Sequence, residues 1–137
     1  MANEISCTRA NVRPLKPATI IRGVAAGTLY KGDLVYLNSS GSWAQADGGS
    51  ATTADAKGLC VGVAGTGTAA AAGGAIDICT EGVVTGYSSM TIPELFYVSN
   101  TAGSLSSAAG TKSRVMGYSL TASEVCVDIG HPADATN

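Results

Sequence analysis

The sequence predicts an all-β protein: a small β-sandwich or partly open barrel of about eight short strands, preceded by an extended N-terminal arm. Three observations carry this. Short runs of alternating aliphatic residues recur at the ~8–12-residue spacing at which sandwiches and barrels turn. Clusters of Gly, Ser, Asn and Thr separate the runs and supply the turns. No stretch of ten residues carries a convincing helical pattern, so a βαβ fold has nothing to be built from.

Residues 1–18 have little periodicity. Pro14 and Pro17 remove backbone donors and bias Arg13 and Lys16 toward extended conformations, so this segment reads as an arm lying on a surface. The first strand is expected over 18–24. Gly27 and Lys31-Gly32-Asp33 are turns, the second opening a strand over 34–38. Ser39-Ser40-Gly41 turns the chain into a return strand over 42–46 that carries Trp43. A loop of polar and small residues over 47–58 holds at most one helical turn.

Strands over 59–64 and 75–85 follow, joined by a bridge of only Gly, Ala and Thr, with Gly82 as a bend or bulge. In this hairpin Leu59, Val61, Val63, Ile76 and Ile78 are expected to face the core. Cys60, Asp77 and Cys79 are expected to face a second strand layer or a subunit, and 65–74 to project as a loop. Pro93 argues against a central strand over 86–94. A strand over 95–99, a small-residue loop over 100–111 and a closing hairpin of 113–120 with 124–130 complete a body spanning 19–130. Residues 131–137 read as a flexible tail. The expected core also includes Ile20, Leu34, Tyr36, Val84, Phe96, Val98, Met116, Tyr118, Val125, Val127 and Ile129.

A chain of 137 residues is one domain by length, large enough to bury roughly 65–70% of its unfolded surface without a staple. Charged residues are only 13% and hydrophobic ones 45%, which favours order over a solvated chain. Charge is unevenly spread. Residues 1–31 hold Arg9, Arg13, Lys16, Arg22 and Lys31 against Glu4, a net of +4; the remainder is net −6. A basic arm on an acidic body is expected to dock on something negative, such as a neighbouring copy. The expected contacts are Arg9, Arg13, Pro14, Lys16, Pro17 and Arg22. Nucleic acid is not expected, because no aromatic precedes Tyr30 to stack on bases and the body has no basic stripe. The start MANEISCTRANVRP has no apolar signal region, and no apolar run approaches the ~20 residues that span a bilayer. The expectation is a cytosolic chain with no membrane partner and reduced cysteines.

Chemistry is sparse. Gly65-Thr66-Gly67-Thr68-Ala69-Ala70 fits a dinucleotide fingerprint, but Gly73-Gly74 end any helix after four alanines and no Lys follows as in a P-loop. Cys60, Cys79, Cys126 and the single His131 are too scattered to read as a zinc set. Asp77 and Glu81 share a strand face by alternation, with Asp128 on a neighbouring strand. A cell-wall-active glycosidase built on Asp77 and Glu81 lacks the aromatics of a sugar cleft. Gly86-Tyr87-Ser88-Ser89-Met90 is not a nucleophile elbow. The expectation is a non-enzyme with no cofactor and no metal.

The segment LFYVSNTAGSLSSAAGTKSRVMGYSLTASEVCVDIG resembles a module recurrent in structural proteins of tailed-phage virions. The pieces LYKGDLVYLNSSGSWAQAD and GLCVGVAG with GGAIDICTEGVV are similar to the β-rich bodies of head decoration (cement, capsid-stabilising) proteins. Together they cover most of 19–130; residues 1–18 carry no matching motif. The resemblance implies a homotrimer on the outside of an icosahedral head, seated on the major capsid protein. It would be made in the host cytoplasm and reinforce the shell of the virion; the alternative is another virion position, a tail or fibre module binding host surface glycans, with Trp43, Tyr36 and Tyr30 as its aromatics.

Overall fold

The structure, a computed structural model, describes residues 5, 7–64, 67–88, 90, 92, 95–108, 110–112 and 114–128. It is an all-β protein. The strands are β1 (Arg13–Val24), β2 (Leu29–Tyr30), β3 (Leu34–Leu37), β4 (Trp43–Gln45), β5 (Gly58–Val63), β6 (Ala69–Ala70), β7 (Ala75–Thr85), β8 (Leu95–Val98), β9 (Leu105–Ser106), β10 (Val115–Ser119) and β11 (Glu124–Asp128). Each of the eight expected strands is present. The additions β2, β6 and β9 are two residues long, too short to carry a period.

One curled antiparallel sheet runs β4-β3-β5-β7-β11-β10-β8-β9, with β1 beside β7. Strand β7 is its axle. Its whole length pairs with β1 on one side. Its other side divides, Ile76–Cys79 pairing with β5 and Glu81–Thr85 with β11. Between these halves the register with β1 jumps from Ile20↔Cys79 to Thr19↔Glu81, leaving Thr80 unpaired. Such a bulge reverses the face that later residues present.

Two cores result. Inside the curl, Leu34, Leu59, Val61, Cys79, Val84, Phe96, Met116, Val125 and Val127 pack together. The ends of the curl meet where Leu34 N–H donates to Gly103 O (2.9 Å) and Gly103 N–H to Ala46 O (2.7 Å). The second cluster lies on the outer face of β3, β5 and the first half of β7, and contains Leu29, Val35, Trp43, Cys60, Ala70, Ile76 and Ile78. The β2–β6 ribbon, through Leu29↔Ala70, covers it.

The hairpin therefore departs from its expected two faces. Leu59 and Val61 point into the curl, whereas Ile76 and Ile78 point out, with Val63 packed against them. Cross-strand partners share a face, and the register Leu59↔Cys79, Cys60↔Ile78 sets the two aliphatic alternations out of phase. Cys60 and Cys79 are consequently buried in opposite cores, and neither reaches a subunit surface. The described part of the bridge, residues 67–74, is also not a free loop. Lys31 N–H donates to Thr68 O (2.9 Å) and Gly73 N–H to Ala25 O (2.8 Å), holding it over the outer cluster.

Ile20, on an edge strand, and Tyr118, on the outer face, are each 40% exposed rather than core, and Tyr36 and Val63 are half-buried. Ile129, His131 and the tail 131–137 lie outside the described residues. The arm boundary expected at residue 18 falls inside β1. A strand accommodates Pro14 and Pro17 here because β1 pairs only with β7, and an edge tolerates missing donors. Lys16 and Pro17 fall in a register break between Leu15↔Val83 and Ala18↔Gly82.

Candidate functional site

Of the six residues expected to dock on a neighbour, Arg9, Arg13, Pro14 and Arg22 do not assemble into a basic patch; the side chains of Lys16 and Pro17 lie outside what the structure describes. Arg9 turns inward from a 3-10 turn over Arg9–Asn11. Its Nη1 donates to Asp33 Oδ1 (2.8 Å) and Lys31 O (2.9 Å), and its guanidinium sits 4.8 Å over the Tyr30 ring. Burial opposes the charged form, but the Asp33 carboxylate outweighs it and raises the Arg9 pKa. Ile5 N–H donates to Leu105 O and Thr8 N–H to Gly86 O, each at 2.9 Å, and Cys7 bridges to Tyr87. Ile5 and residues 7–12, ending at fully buried Val12, thus strap their own body. Arg22 Nε donates to Asp77 Oδ1 at 2.6 Å, an exposed pair across β1 and β7. Arg13 is exposed at a polar cleft with Thr8, Asn11, Ser88 and Ser123. Pro14 is half-buried opposite Val84. Net charge marked these residues, but in Arg9 and Arg22 that charge is answered within the chain.

The alternative sites do not converge either. Asp77 precedes the Thr80 bulge and Glu81 follows it, so the two carboxylates leave opposite faces of β7. Trp43 is buried in the outer cluster, Tyr36 packs on the inner one and Tyr30 lies under Arg9, so no shared aromatic platform forms. Among the described residues no three His, Cys, Asp or Glu side chains gather to hold a metal, and no helix is long and apolar enough to cross a membrane. Residues 65 and 66 of the glycine-rich motif lie outside the described residues. Burial pushes the Cys60 thiol up to about 11 and raises those of Cys79 and Cys7.

A different surface emerges on the outer face. The β2–β6 ribbon and Trp43 cover only the half of it formed by β3, β5 and the start of β7. Among the described residues nothing covers the half formed by the end of β7 with β11, β10 and β8. Registered partners cross it in one row: Leu15↔Val83, Val83↔Cys126, Cys126↔Tyr118 and Tyr118↔Leu95. Leu95 is 48% exposed and the middle of the row is half-buried. Beside the row runs Thr19–Glu81–Asp128, and on its other side Arg13–Thr85–Glu124. A groove of about 560 Å³ follows it, lined by Thr19, Glu81, Val83, Tyr118, Cys126 and Asp128. Its neighbour Cys126 first, and Asp128 after it, raise the Tyr118 pKa.

Alternation from Met116 would have put Tyr118 inside. The sheet instead inserts a bulge, since Val115↔Tyr97 is followed by Gly117↔Phe96 and Met116 is left over. Gly117, at φ +154, is the one local signal of it. Comparison of the chain with protein families, with curated proteins and with solved structures finds no match.

Proposed function

We propose that this chain is a non-enzymatic virion protein that binds the outside of a phage capsid, on the major capsid protein, and stabilises the shell as a decoration protein without a cofactor. The observation that supports it best is the bare half of the outer face, an apolar row between two charged rows. Monomers seldom leave such a rimmed apolar stripe uncovered. The resemblance of 19–130 to head decoration proteins points the same way. So does a strap that fastens residues 5 and 7–12 to the body, so that the contact is sought on the sheet face and not in that segment. In a trimer, three weak contacts act together through effective concentration. Imaging undecorated capsids with and without the protein tests the proposal. The expected result is ordered density on the shell and a higher disruption temperature; bare shells at saturating protein count against it.

A further inference from the structure

We propose that the bare outer face is a docking groove for one kind of occupant: an extended segment of the protein on which this chain assembles, carrying aliphatic side chains and a Lys or Arg. This deepens the decoration reading and rests on it for the source of the segment. The groove's chemistry rests on the face alone.

Two features define the occupant. The row from Leu15 through Val83, Cys126 and Tyr118 to Leu95 crosses five strands. At about 4.8 Å between strands it is roughly 19 Å long, the reach of about six extended residues. Its apolar side chains fit the aliphatic side of such a segment. The second feature is electrostatic. Glu81 and Asp128 are direct cross-strand partners, both exposed, and no ion pair among the described residues involves either. Like charges directly opposite one another destabilise a sheet. A cation set between them removes that repulsion, and the Thr19 hydroxyl beside them adds a polar partner. Among the described residues no third His, Cys, Asp or Glu joins them to hold a metal ion. A second copy laid face to face brings acids against acids: turned about β11, at the middle of the row, Asp128 meets its own copy; turned about the row, Asp128 meets Glu124 while Arg13 meets Thr19. A basic segment from a different protein fits the charge better.

The test uses the full chain. One variant reverses the rim, Glu81→Lys with Asp128→Lys; a second, Tyr118→Ala with Leu95→Ser, strips the exposed end of the row and leaves both cores intact. Probes are undecorated capsids and two eight-residue peptides of alternating valine and threonine, one flanked by lysines and one by glutamates. The lysine peptide is expected to shift the amide resonances of Val83, Cys126 and Tyr118, the glutamate peptide to leave them in place, and rim reversal to exchange the preference. Each variant is expected to lose about tenfold or more in capsid affinity, roughly 1.4 kcal/mol, with unchanged melting. A wild-type chain without preference for the lysine peptide overturns the groove. So does capsid affinity unaltered in both variants, or self-association in solution that Tyr118→Ala abolishes. Lysine-peptide binding without any capsid binding upholds the groove and removes the decoration reading.

Discussion

Asp33 is fully buried, and donors from three segments converge on its carboxylate: Arg9 Nη1, Gln45 Nε2 and the Tyr30 N–H, at 2.8 to 2.9 Å. It fastens the N-terminal strap to the β2–β3 turn and β4. Arg9→Ala leaves that carboxylate with two neutral donors. The expected loss is about 2 kcal/mol in urea unfolding, less than the full cost of an unpaired buried charge. Arg9→Lys is expected to recover only part of it, because an ammonium does not keep the planar stack on Tyr30. The buried thiols give a second expectation. Burial raises the pKa of Cys60 to about 11, and raises those of Cys79 and Tyr87 as well. Above pH 9, the ordinary thiol value, the unfolded chain ionises first and takes stability away as pH climbs through the folded values. Melting temperature should hold steady between about pH 6 and 8. It should then fall between pH 9 and 11, with Cys60 alone removing on the order of 2 kcal/mol at the upper end. Native alkylation at pH 8 should reach half-buried Cys126 well before Cys60 or Cys79.

The bulges are what turn strands into sites. At β10, a Cβ on Gly117 would run into the Cys126 carbonyl oxygen and crowd the Phe96 ring, at a φ of +154 that side chains rarely adopt. Gly117→Ala should therefore cost about 3 kcal/mol or more. It should also disturb Tyr118 in the groove, read as a lowered midpoint together with shifted Tyr118 resonances. Thr80 does the matching work on β7, sending Ile76 and Ile78 to the outer cluster and Val84 to the inner one. Strand β1 manages its open edge differently. Pro14, Pro17 and the register break interrupt the first half, and charge and proline are common protections against edge-to-edge pairing.

At the level of the whole molecule, the sheet serves two cores, one on each face of β5 and β7. Trp43 is the keystone of the outer one. It lies against Gly23, where a Cβ would collide with the indole, and its carbonyl accepts from Ala26 N–H at 2.7 Å. Trp43→Ala should cost about 3–5 kcal/mol. The wild-type emission should be blue-shifted and poorly quenched by iodide, as for an enclosed indole. That enclosure also takes Trp43 away from any glycan platform.

Much of this was legible in the chain. Aliphatic alternation and turn residues located the longer strands within two residues among the described ones, except for the first five residues of β1, because period-2 patterning and glycine are local signals. Leu34, Leu59, Val84, Phe96 and Val127 were recognisable as core for the same reason. Tertiary structure alone decided which face each residue took. Register sets that choice, and a one-residue bulge at Thr80 or Met116 inverts it without altering composition. Thus Cys60 and Cys79 went to separate cores, Tyr118 went outward and Asp77 parted from Glu81. Arg9 looked like a free basic arm because charge counting cannot see a buried Asp33 24 residues away in sequence. Alternation along each strand was written in the amino acids; pairing across strands was settled only when the sheet closed.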